Sequence, residues 1–391
     1  MTRFISRRHL EAEFGYDAAM ISWLALYVAL GWCVRALMIP VILRRQFAPG
    51  AAVAWLGIIF LHPYIGWTLY MLLGETRLGP HRVERHRSLV AHYRAIVRER
   101  QSAQSPPLLE IPSAYQPMVL QAEKVSELPV LGGNCVDFLD RSDVFVDRLV
   151  ADIDRAGDQV HLLYYMFFAD ATGRRVAGAV ERAARRGVKC RVLVDAVAGR
   201  GFFHRNGLGP LLAEAGVRVA AAQPVAPIQR RLPRMDLRNH RKLAVIDGRI
   251  AYAGSQNLVD PDYGGRRGAP WVDLSGRLTG PVVSELAAVF AEDWAFETGE
   301  VLDVCSCLPA VQEGGAMQVV PTGPTSLGES YRRVLLGALQ CARRRAVLTT
   351  PYFVPDEPTL VALAMAADRG VEVNLLLPQT PDHIFTAAAG R

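Results

Sequence analysis

The chain has 391 residues, of which 51% are hydrophobic and 21% are charged, with a mean hydropathy of +0.14 and a formal net charge of +6. This composition is too apolar for an ordinary soluble protein of this size and too charged for a polytopic transporter. The positive charge suits an anionic lipid and a nucleic acid equally well, so it excludes neither kind of partner.

The apolar residues concentrate near the N-terminus. Residues 20–43 and 51–73 are each long enough to cross about 30 Å of hydrocarbon as helices, which predicts a membrane-anchor hairpin over residues 20–73 after a cytoplasmic N-terminus of residues 1–19. Arg35 interrupts the first segment, which is expected to tilt, to lie partly in the interface or to let the arginine snorkel. Pro63 is expected to kink the second segment.

A cleaved signal peptide is the alternative for the first segment, but its apolar core is too long and lacks a small-x-small cleavage site. Three arginines precede this segment, two lie between the segments and seven lie between Gly74 and Arg100. Because positive residues favour the cytoplasmic side, both ends of the hairpin are expected there.

Residues 74–126 are predicted to be a basic juxtamembrane segment and a linker. The basic part suits an anionic leaflet surface or a solvated helix, and the sequence leaves both open.

From residue 127 the pattern becomes that of an α/β domain. Residues 144–156 and 174–186 are predicted as helices, and each precedes an apolar strand, at residues 159–167 and 188–195. A strand, a helix and a second strand joined by a short turn imply parallel pairing. Residues 127–300 are therefore predicted to form one lobe that contains the catalytic motif.

A similar succession of elements recurs near the C-terminus, with helices at 331–343 and 358–368 and strands at 346–353 and 371–377. The tripeptide Arg186-Gly187-Val188 recurs 183 residues later as Arg369-Gly370-Val371. This repeat predicts a two-lobed domain, with the start of the second lobe at residues 301–391.

The residues that carry chemistry lie in one strand-turn-strand unit. Residues 242–248 predict a buried strand ending in an Asp-Gly turn, and residues 250–253 predict the next strand of a hairpin. His240 and Lys242 are two positions apart, so they are expected to project together. A lysine cation beside the imidazole can neutralise phosphate oxygens while the histidine attacks phosphorus, and Asn257 can donate hydrogen bonds to the same oxygens.

Further motifs follow in order along the chain. They are Asn239-His240-Arg241-Lys242, Val245-Ile246-Asp247-Gly248, Gly254-Ser255-Gln256-Asn257, Trp271-Val272-Asp273-Leu274, Gly280-Pro281 and Phe290-x-x-Asp293-Trp294. Together they resemble the motifs of bacterial cardiolipin synthases in the phospholipase D superfamily, and the resemblance runs from about residue 50 to the last residue. That family carries the His-x-Lys motif twice and this sequence carries it once. The repeat offset would place the second copy near position 423, so the second lobe is expected to be truncated.

The resemblance implies an α/β fold in which an N-terminal transmembrane helical hairpin precedes a phospholipase D-like two-lobed domain. It implies phosphatidyl transfer between two phosphatidylglycerol molecules through a phosphohistidine, giving cardiolipin and glycerol. The expected location is a bacterial inner membrane rich in anionic lipid, with a multi-pass anchor and a cytoplasmic catalytic domain. Neither a nucleic acid nor a metal or other cofactor is implied, and the six cysteines show no metal-ligand spacing.

The resemblance also assigns roles to individual residues. His240, Lys242 and Asp247 are the implied catalytic residues, with His240 as the nucleophile, and Ser255 and Asn257 are the implied phosphate-binding residues. Strand alternation places Asp247 on the face opposite Lys242. Asp247 is therefore expected to fix the turn or an ion pair within the fold.

Three other functions stay open at this point. A phospholipase D hydrolase would differ only in using water to resolve the intermediate. A nuclease assembled from two single-motif subunits is disfavoured by the membrane hairpin and by the second-lobe repeat. An inactive remnant of a disrupted gene would accumulate poorly, because its second sheet would expose an unpaired edge.

Overall fold

The computed structural model describes residues 7–45, 47, 49–74, 80–103, 111–224, 238–263, 270–304, 310–311, 313–323 and 330–378. The chain divides into two compact units, one of Met1–Leu78 with Ala226–Asp236 and the other of Gly79–Val225 with Leu237–Arg391. Helices alternate with strands in the second unit, so the predicted α/β class is confirmed.

The first unit contains the helices α1 (Arg7–Arg44), α2 (Pro49–Leu61) and α3 (Pro63–Leu73). Within α1, Ser22–Arg44 has 23 residues and a mean hydropathy of 2.0, and among the described residues it is the one helix long and apolar enough to cross a membrane. The prediction of one continuous second helix over residues 51–73 is wrong. The chain breaks at His62, because Pro63 lacks an N–H and disfavours helical geometry in the residue before it.

The second unit is built on a sheet of eight strands in the order β4-β3-β2-β5-β6-β7-β1-β8. The strands are β1 (Leu131–Leu139), β2 (Gln159–Tyr164), β3 (Lys189–Asp195), β4 (Arg218–Ala222), β5 (Leu243–Ile246), β6 (Ile250–Gly254), β7 (Ser275–Thr279) and β8 (Gly315–Met317). The helices are α4 (Pro80–Ala103), α5 (Gln116–Ser126), α6 (Ser142–Arg155), α7 (Ala171–Arg185), α8 (Leu208–Glu214) and α9 (Val282–Thr298). As predicted, β2 and β3 pair in parallel and β5 and β6 form an antiparallel hairpin.

Both faces of the sheet are covered, so its central strands are apolar on both sides. In β2, Val160 and Leu162 face one core, which α6, α7 and α8 complete, while Leu163 faces the other. The second core is formed largely by α9, whose residues from Val282 to Phe296 are all buried. A helix buried on every side can carry polar residues only where each has a partner, and this requirement shapes the site described below.

Helix α4, which contains most of the basic segment, packs on α9 with one face buried. Tyr93 and Val97 of α4 are buried in the second core. Arg94 is also buried, and it donates to Glu292 of α9 and to the carbonyl oxygen of Ser126 at 3.1 Å. Part of the predicted linker is helical too, since residues 116–126 form α5.

The last described elements are α10 (Ser330–Cys341), β9 (Arg345–Thr349), α11 (Glu357–Asp368) and β10 (Glu372–Leu376). β9 and β10 pair in parallel, as the repeat predicts. Apolar residues on both strands, including Val347 and Leu376, are exposed. Cys305, Cys307 and His383 lie outside the described residues.

The pair formed by Arg94 and Glu292 gives a test of how α4 is held. Replacing Glu292 by alanine leaves a buried guanidinium without a counter-charge, so we expect the free energy of unfolding to fall by about 3–5 kcal/mol. Replacing both residues by leucine removes both charges, and we expect that variant to keep most of the wild-type stability. Thermal unfolding of the detergent-solubilised protein measures the difference, and equal losses in the two variants would contradict it.

Candidate active site

Two of the predicted catalytic residues, His240 and Lys242, lie at one edge of the eight-stranded sheet. The register pairs Leu163 with Leu243 and Leu243 with Ala253, so the end of β2, the start of β5 and the end of β6 lie together. β3 runs parallel to β2 and ends at Asp195 on the same edge. Residues 238–242 therefore lead into β5 beside the ends of β2, β3 and β6.

Arg238 fixes the chain two residues before His240. Its Nε donates to Oδ2 of Asp195 at 2.8 Å, and its Nη2 donates to the carbonyl oxygens of Ala222 and Gln223 at 3.2 and 2.9 Å. Both members of the ion pair are buried. Because a buried charge is costly without its partner, this pair ties the start of the motif to the ends of β3 and β4.

Asn239 and Arg241, the neighbours of His240, are both held by Asp293 on α9. Nδ2 of Asn239 donates to Oδ2 of Asp293 at 2.9 Å, and Nη1 of Arg241 donates to the two carboxylate oxygens at 2.7 and 2.6 Å. Oδ1 of Asn239 also accepts the backbone N–H of Arg241 at 3.1 Å. With these neighbours turned to a buried carboxylate, the side chain of His240 is left exposed.

Tyr165, the residue after β2, brings His240 and Lys242 together. Its ring stacks on the imidazole with a centroid distance of 3.9 Å and an interplanar angle of 21°. Nζ of Lys242 lies 5.3 Å from the centre of the same ring and donates to the carbonyl oxygen of His240 at 2.7 Å. The stack and the cation–π contact fix the nucleophile candidate and the cation relative to one another.

Burial and charge set the protonation of both groups. Although the side chain of His240 is accessible to solvent, partial desolvation of its ring and the neighbouring Lys242 cation lower its pKa, and Asp195 opposes the shift. Burial lowers the pKa of Lys242 to about 8, and Asp273 opposes that shift. Near pH 7 the site therefore combines a neutral imidazole with a lysine that is still protonated, which is the pairing that attack on a phosphodiester requires.

Asn257 and Ser255 reach the same edge from the end of β6. Asn257 is buried, and its Oδ1 accepts the backbone N–H of Met166 at 3.1 Å, which orients the amide nitrogen as the remaining donor. The hydroxyl of Ser255 donates to Oδ1 of Asp273 at 2.7 Å and accepts the N–H of Leu274 at 3.0 Å. Ser255 thus binds the carboxylate whose negative charge opposes the lowering of the pKa of Lys242 by burial.

Asp247 lies at the opposite end of β5 from Lys242. Its φ angle is +50°, and its carboxylate accepts the backbone N–H groups of Gly157, Asp158 and Gln159, each at 2.9 Å. The carboxylate therefore ties the β5–β6 turn to the start of β2. The structure brings His240, Lys242, Ser255 and Asn257 to one edge and places Asp247 away from them.

Two contributors to the site, Tyr165 and Asp195, were not predicted from the sequence. Tyr165 follows β2 and Asp195 is the last residue of β3, and these two strands are parallel. Ligands of open α/β sheets bind outside the carboxyl ends of such strands. That rule was the signal available for finding them. Among the described residues, no group of three or more His, Cys, Asp or Glu side chains is arranged to hold a metal ion.

Comparison with known proteins identifies the family. Residues 149–294, which include His240 and Asp293, match the sequence family described as "Cardiolipin synthase, PLD-like domain". The chain is 34% identical over 379 residues to cardiolipin synthase A of Edwardsiella ictaluri, a match that covers 95% of this chain and 77% of that protein. The chain belongs to the cardiolipin synthase family. It is also 32% identical over 382 residues to cardiolipin synthase A of Yersinia pestis, with the same coverage of both proteins.

Among solved structures, phosphatidylserine synthase of Haemophilus influenzae is similar at 14% identity with a TM-score of 0.45. That match covers 66% of each chain. The family assignment rests on the sequence relatives, and it makes the chain a phospholipase D-like phosphatidyltransferase.

The stack on His240 predicts a graded effect of substitutions at Tyr165. Leucine removes the ring, and the loss of a contact worth about 0.5–1.5 kcal/mol should lower kcat by about 2- to 13-fold with little change in KM. Phenylalanine keeps the ring, so we expect it to retain most of the wild-type rate. Steady-state kinetics in phospholipid–detergent micelles separates the two, and a leucine variant as active as the phenylalanine variant would rule out this role.

The lowered pKa of Lys242 predicts an alkaline limb in the pH profile of kcat/KM near pH 8. Below that pH the side chain is a cation, and above it the positive charge is lost and the rate should fall. Lys242→Arg keeps the charge at all these pH values, so its rate should be lower but its alkaline limb should move upward. An unmoved limb in Lys242→Arg would assign the ionisation to another group.

Proposed function

We propose that the chain transfers a phosphatidyl group from one phosphatidylglycerol molecule to a hydroxyl of a second, forming cardiolipin and releasing glycerol. The observation that carries the proposal is the His240 imidazole stacked on Tyr165 with the Lys242 cation on the same ring. Membership in the cardiolipin synthase family supports the choice of lipid.

The reaction follows in two displacements at phosphorus. The neutral imidazole of His240 attacks the phosphorus of the first lipid, a P–N bond forms, and the P–O bond to the headgroup glycerol breaks. A hydroxyl of the second phosphatidylglycerol then attacks the same phosphorus, which forms the new P–O bond and breaks the P–N bond. Splitting one displacement into two in this way is the purpose of a covalent intermediate.

The surrounding residues stabilise the charge that develops on the phosphoryl oxygens. Lys242 supplies a positive charge beside the imidazole, and the amide nitrogen of Asn257 supplies a hydrogen-bond donor. We assign Ser255 to holding Asp273 near Lys242, since its hydroxyl donates to that carboxylate. We assign Asp247 to the turn between β5 and β6.

The leaving glycerol needs a proton, and the attacking hydroxyl must lose one. A second imidazole can perform both steps. In the printed sequence, His-x-Lys followed five residues later by Asp occurs once. We therefore assign the acid and base to a second imidazole, of the kind that the resemblance implies for the other lobe.

The location that we propose is the bacterial inner membrane, with the catalytic unit on the cytoplasmic face. The apolar span of α1 supports membrane insertion, and the arginines after residue 74 support the cytoplasmic side. The multi-pass arrangement expected from the sequence needs a second crossing. Neither α2, with 13 residues, nor α3, with 11, is long enough to supply one alone.

The proposal predicts which substitutions stop the reaction. His240→Ala should abolish turnover of phosphatidylglycerol, and Lys242→Ala should lower it by roughly 10²-fold, because it removes a preorganised electrostatic donor. His204→Ala, at an exposed histidine of the same unit, is the matched control and should keep wild-type activity. Chromatography of the lipid products measures all three.

The identity of the lipid product separates the transferase from the hydrolase. Cardiolipin with released glycerol is the expected result. Phosphatidic acid with released glycerol would show that water resolves the intermediate and would contradict the transferase proposal. Wild-type turnover by His240→Ala would contradict the mechanism in either case.

A further inference from the structure

Helices α2 and α3 fold back on each other instead of following one line. Trp55 and Tyr70 are 15 residues apart in sequence, yet their ring centroids are 5.3 Å apart. In a straight helix these positions would be separated by about 22 Å. The ring of Phe47, just before α2, also lies 6.4 Å from Tyr70. The beginning of α2 and the end of α3 therefore lie at the same end of a helical hairpin.

The turn of this hairpin, at His62 and Pro63, allows close approach because of Gly66. A Cβ atom at Gly66 would lie 2.8 Å from the Cα of Ile59, a distance that a side chain cannot adopt. Glycine is therefore required for α3 to cross α2 just beyond the turn. Gly57, in the same hairpin, has no atom within 4 Å of such a Cβ, so the requirement is local to Gly66.

The tip of the hairpin, which is the turn at His62 and Pro63 with its neighbours Phe60 and Tyr64, is attached to the middle of α1 by polar contacts. Arg35 donates from Nε and Nη2 to the carbonyl oxygen of Phe60 at 3.1 and 2.9 Å. The hydroxyl of Tyr64 donates to the carbonyl oxygen of Tyr27. A carbonyl that loses its helical partner at a break is costly in hydrocarbon, so Arg35 supplies the missing donor. This contact gives Arg35 a partner inside the anchor.

The depth of the tip follows from its position along α1. A Cβ at Gly31 would lie 3.3 Å from Cγ of Pro63, so the tip is level with Gly31. Gly31 is 13 residues before Arg44, which corresponds to about 20 Å along the helix. The whole span Ser22–Arg44 measures about 34 Å. The hairpin thus reaches slightly beyond the middle of the span and turns back.

The outer surface of the hairpin suits hydrocarbon. Leu61 is 76% exposed, Val53 is 68% exposed and Ile65 is 59% exposed within the chain. Arg44 and Arg45 lie at the open end, where the chain leaves α1 and enters α2. Apolar residues along the length and arginines at one end are the pattern of a segment inserted from one membrane face.

From these contacts we infer that α2 and α3 form a re-entrant hairpin that enters the bilayer from the side of Arg44 and Arg45 and returns to that side. The anchor then crosses the membrane once, through α1. Residue 74 leaves on the same side as Arg44, and the N-terminus lies on the opposite side. This inference concerns the anchor and does not depend on the proposed reaction.

Chemical cross-linking in native membranes tests the fold of the hairpin. The chain carries Trp55→Cys and Tyr70→Cys, its native cysteines are replaced by serine, and a short bis-maleimide is the probe. Leu24→Cys with Ile39→Cys, also 15 residues apart but within α1, is the matched control. Mass spectrometry should find an intramolecular link in the first pair and none in the control. Single modification of both cysteines without a link in the first pair would overturn the hairpin.

Labelling with a membrane-impermeant maleimide tests the sidedness. Single cysteines replace Ser6 before α1, Gln46 after α1 and Lys124 in the catalytic unit, and intact cells are compared with permeabilised cells. The inference predicts that in intact cells only position 6 is labelled. Labelling of position 46 alone would overturn the single crossing and restore the two-crossing anchor. Labelling of positions 46 and 124 without position 6 would support the single crossing and overturn the cytoplasmic location of the catalytic unit.

Two glycine substitutions test whether the close packing of α3 on α2 at Gly66 is needed for the hairpin. Gly66→Leu should force α3 away from α2 and abolish the cross-link between positions 55 and 70. Gly57→Leu, which has open space around it, should leave the cross-link unchanged. A link that survives Gly66→Leu would contradict the proposed crossing of the two helices.

Discussion

Two buried carboxylates, Asp195 and Asp293, determine where the imidazole of His240 lies. Asp195 binds Arg238, and Asp293 binds Asn239 and Arg241, so three of the four nearest neighbours of His240 in sequence are fixed to the fold. These contacts attach a segment without regular secondary structure to β3 and α9. His240 remains free to meet the ring of Tyr165 and, beyond it, a phosphate.

The position of Asp293 in turn depends on the packing of α9. Adjacent Glu292 binds the buried Arg94 of α4, while burial raises the pKa of Glu292 and Arg94 opposes that rise. The helix is buried on all sides, so its two adjacent acidic residues are tolerated only because each has a basic partner. The position of His240 therefore depends on ion pairs that neutralise the acidic residues of α9 inside the second core.

The sequence predicted those parts of the molecule that depend on local pattern. Two short apolar runs separated by an Asp-Gly turn were enough to predict β5 and β6, and helix-strand succession was enough for β2 and β3. It did not predict the break at His62 as a full reversal, because the effect of Pro63 depends on Gly66 and Arg35 packing around it. Tyr165 and Asp195 were missed because their roles arise from strand register, which links residues far apart in sequence.

The central claim is that His240 forms a covalent bond to the phosphatidyl group. The direct test is to mix the enzyme with phosphatidylglycerol carrying a radiolabelled phosphate, to stop the reaction with alkali, which preserves phosphohistidine, and to locate the label by peptide mass spectrometry. The account predicts the label on the peptide that contains His240 and its absence in His240→Ala. An enzyme that makes cardiolipin while this peptide stays unlabelled would contradict the account.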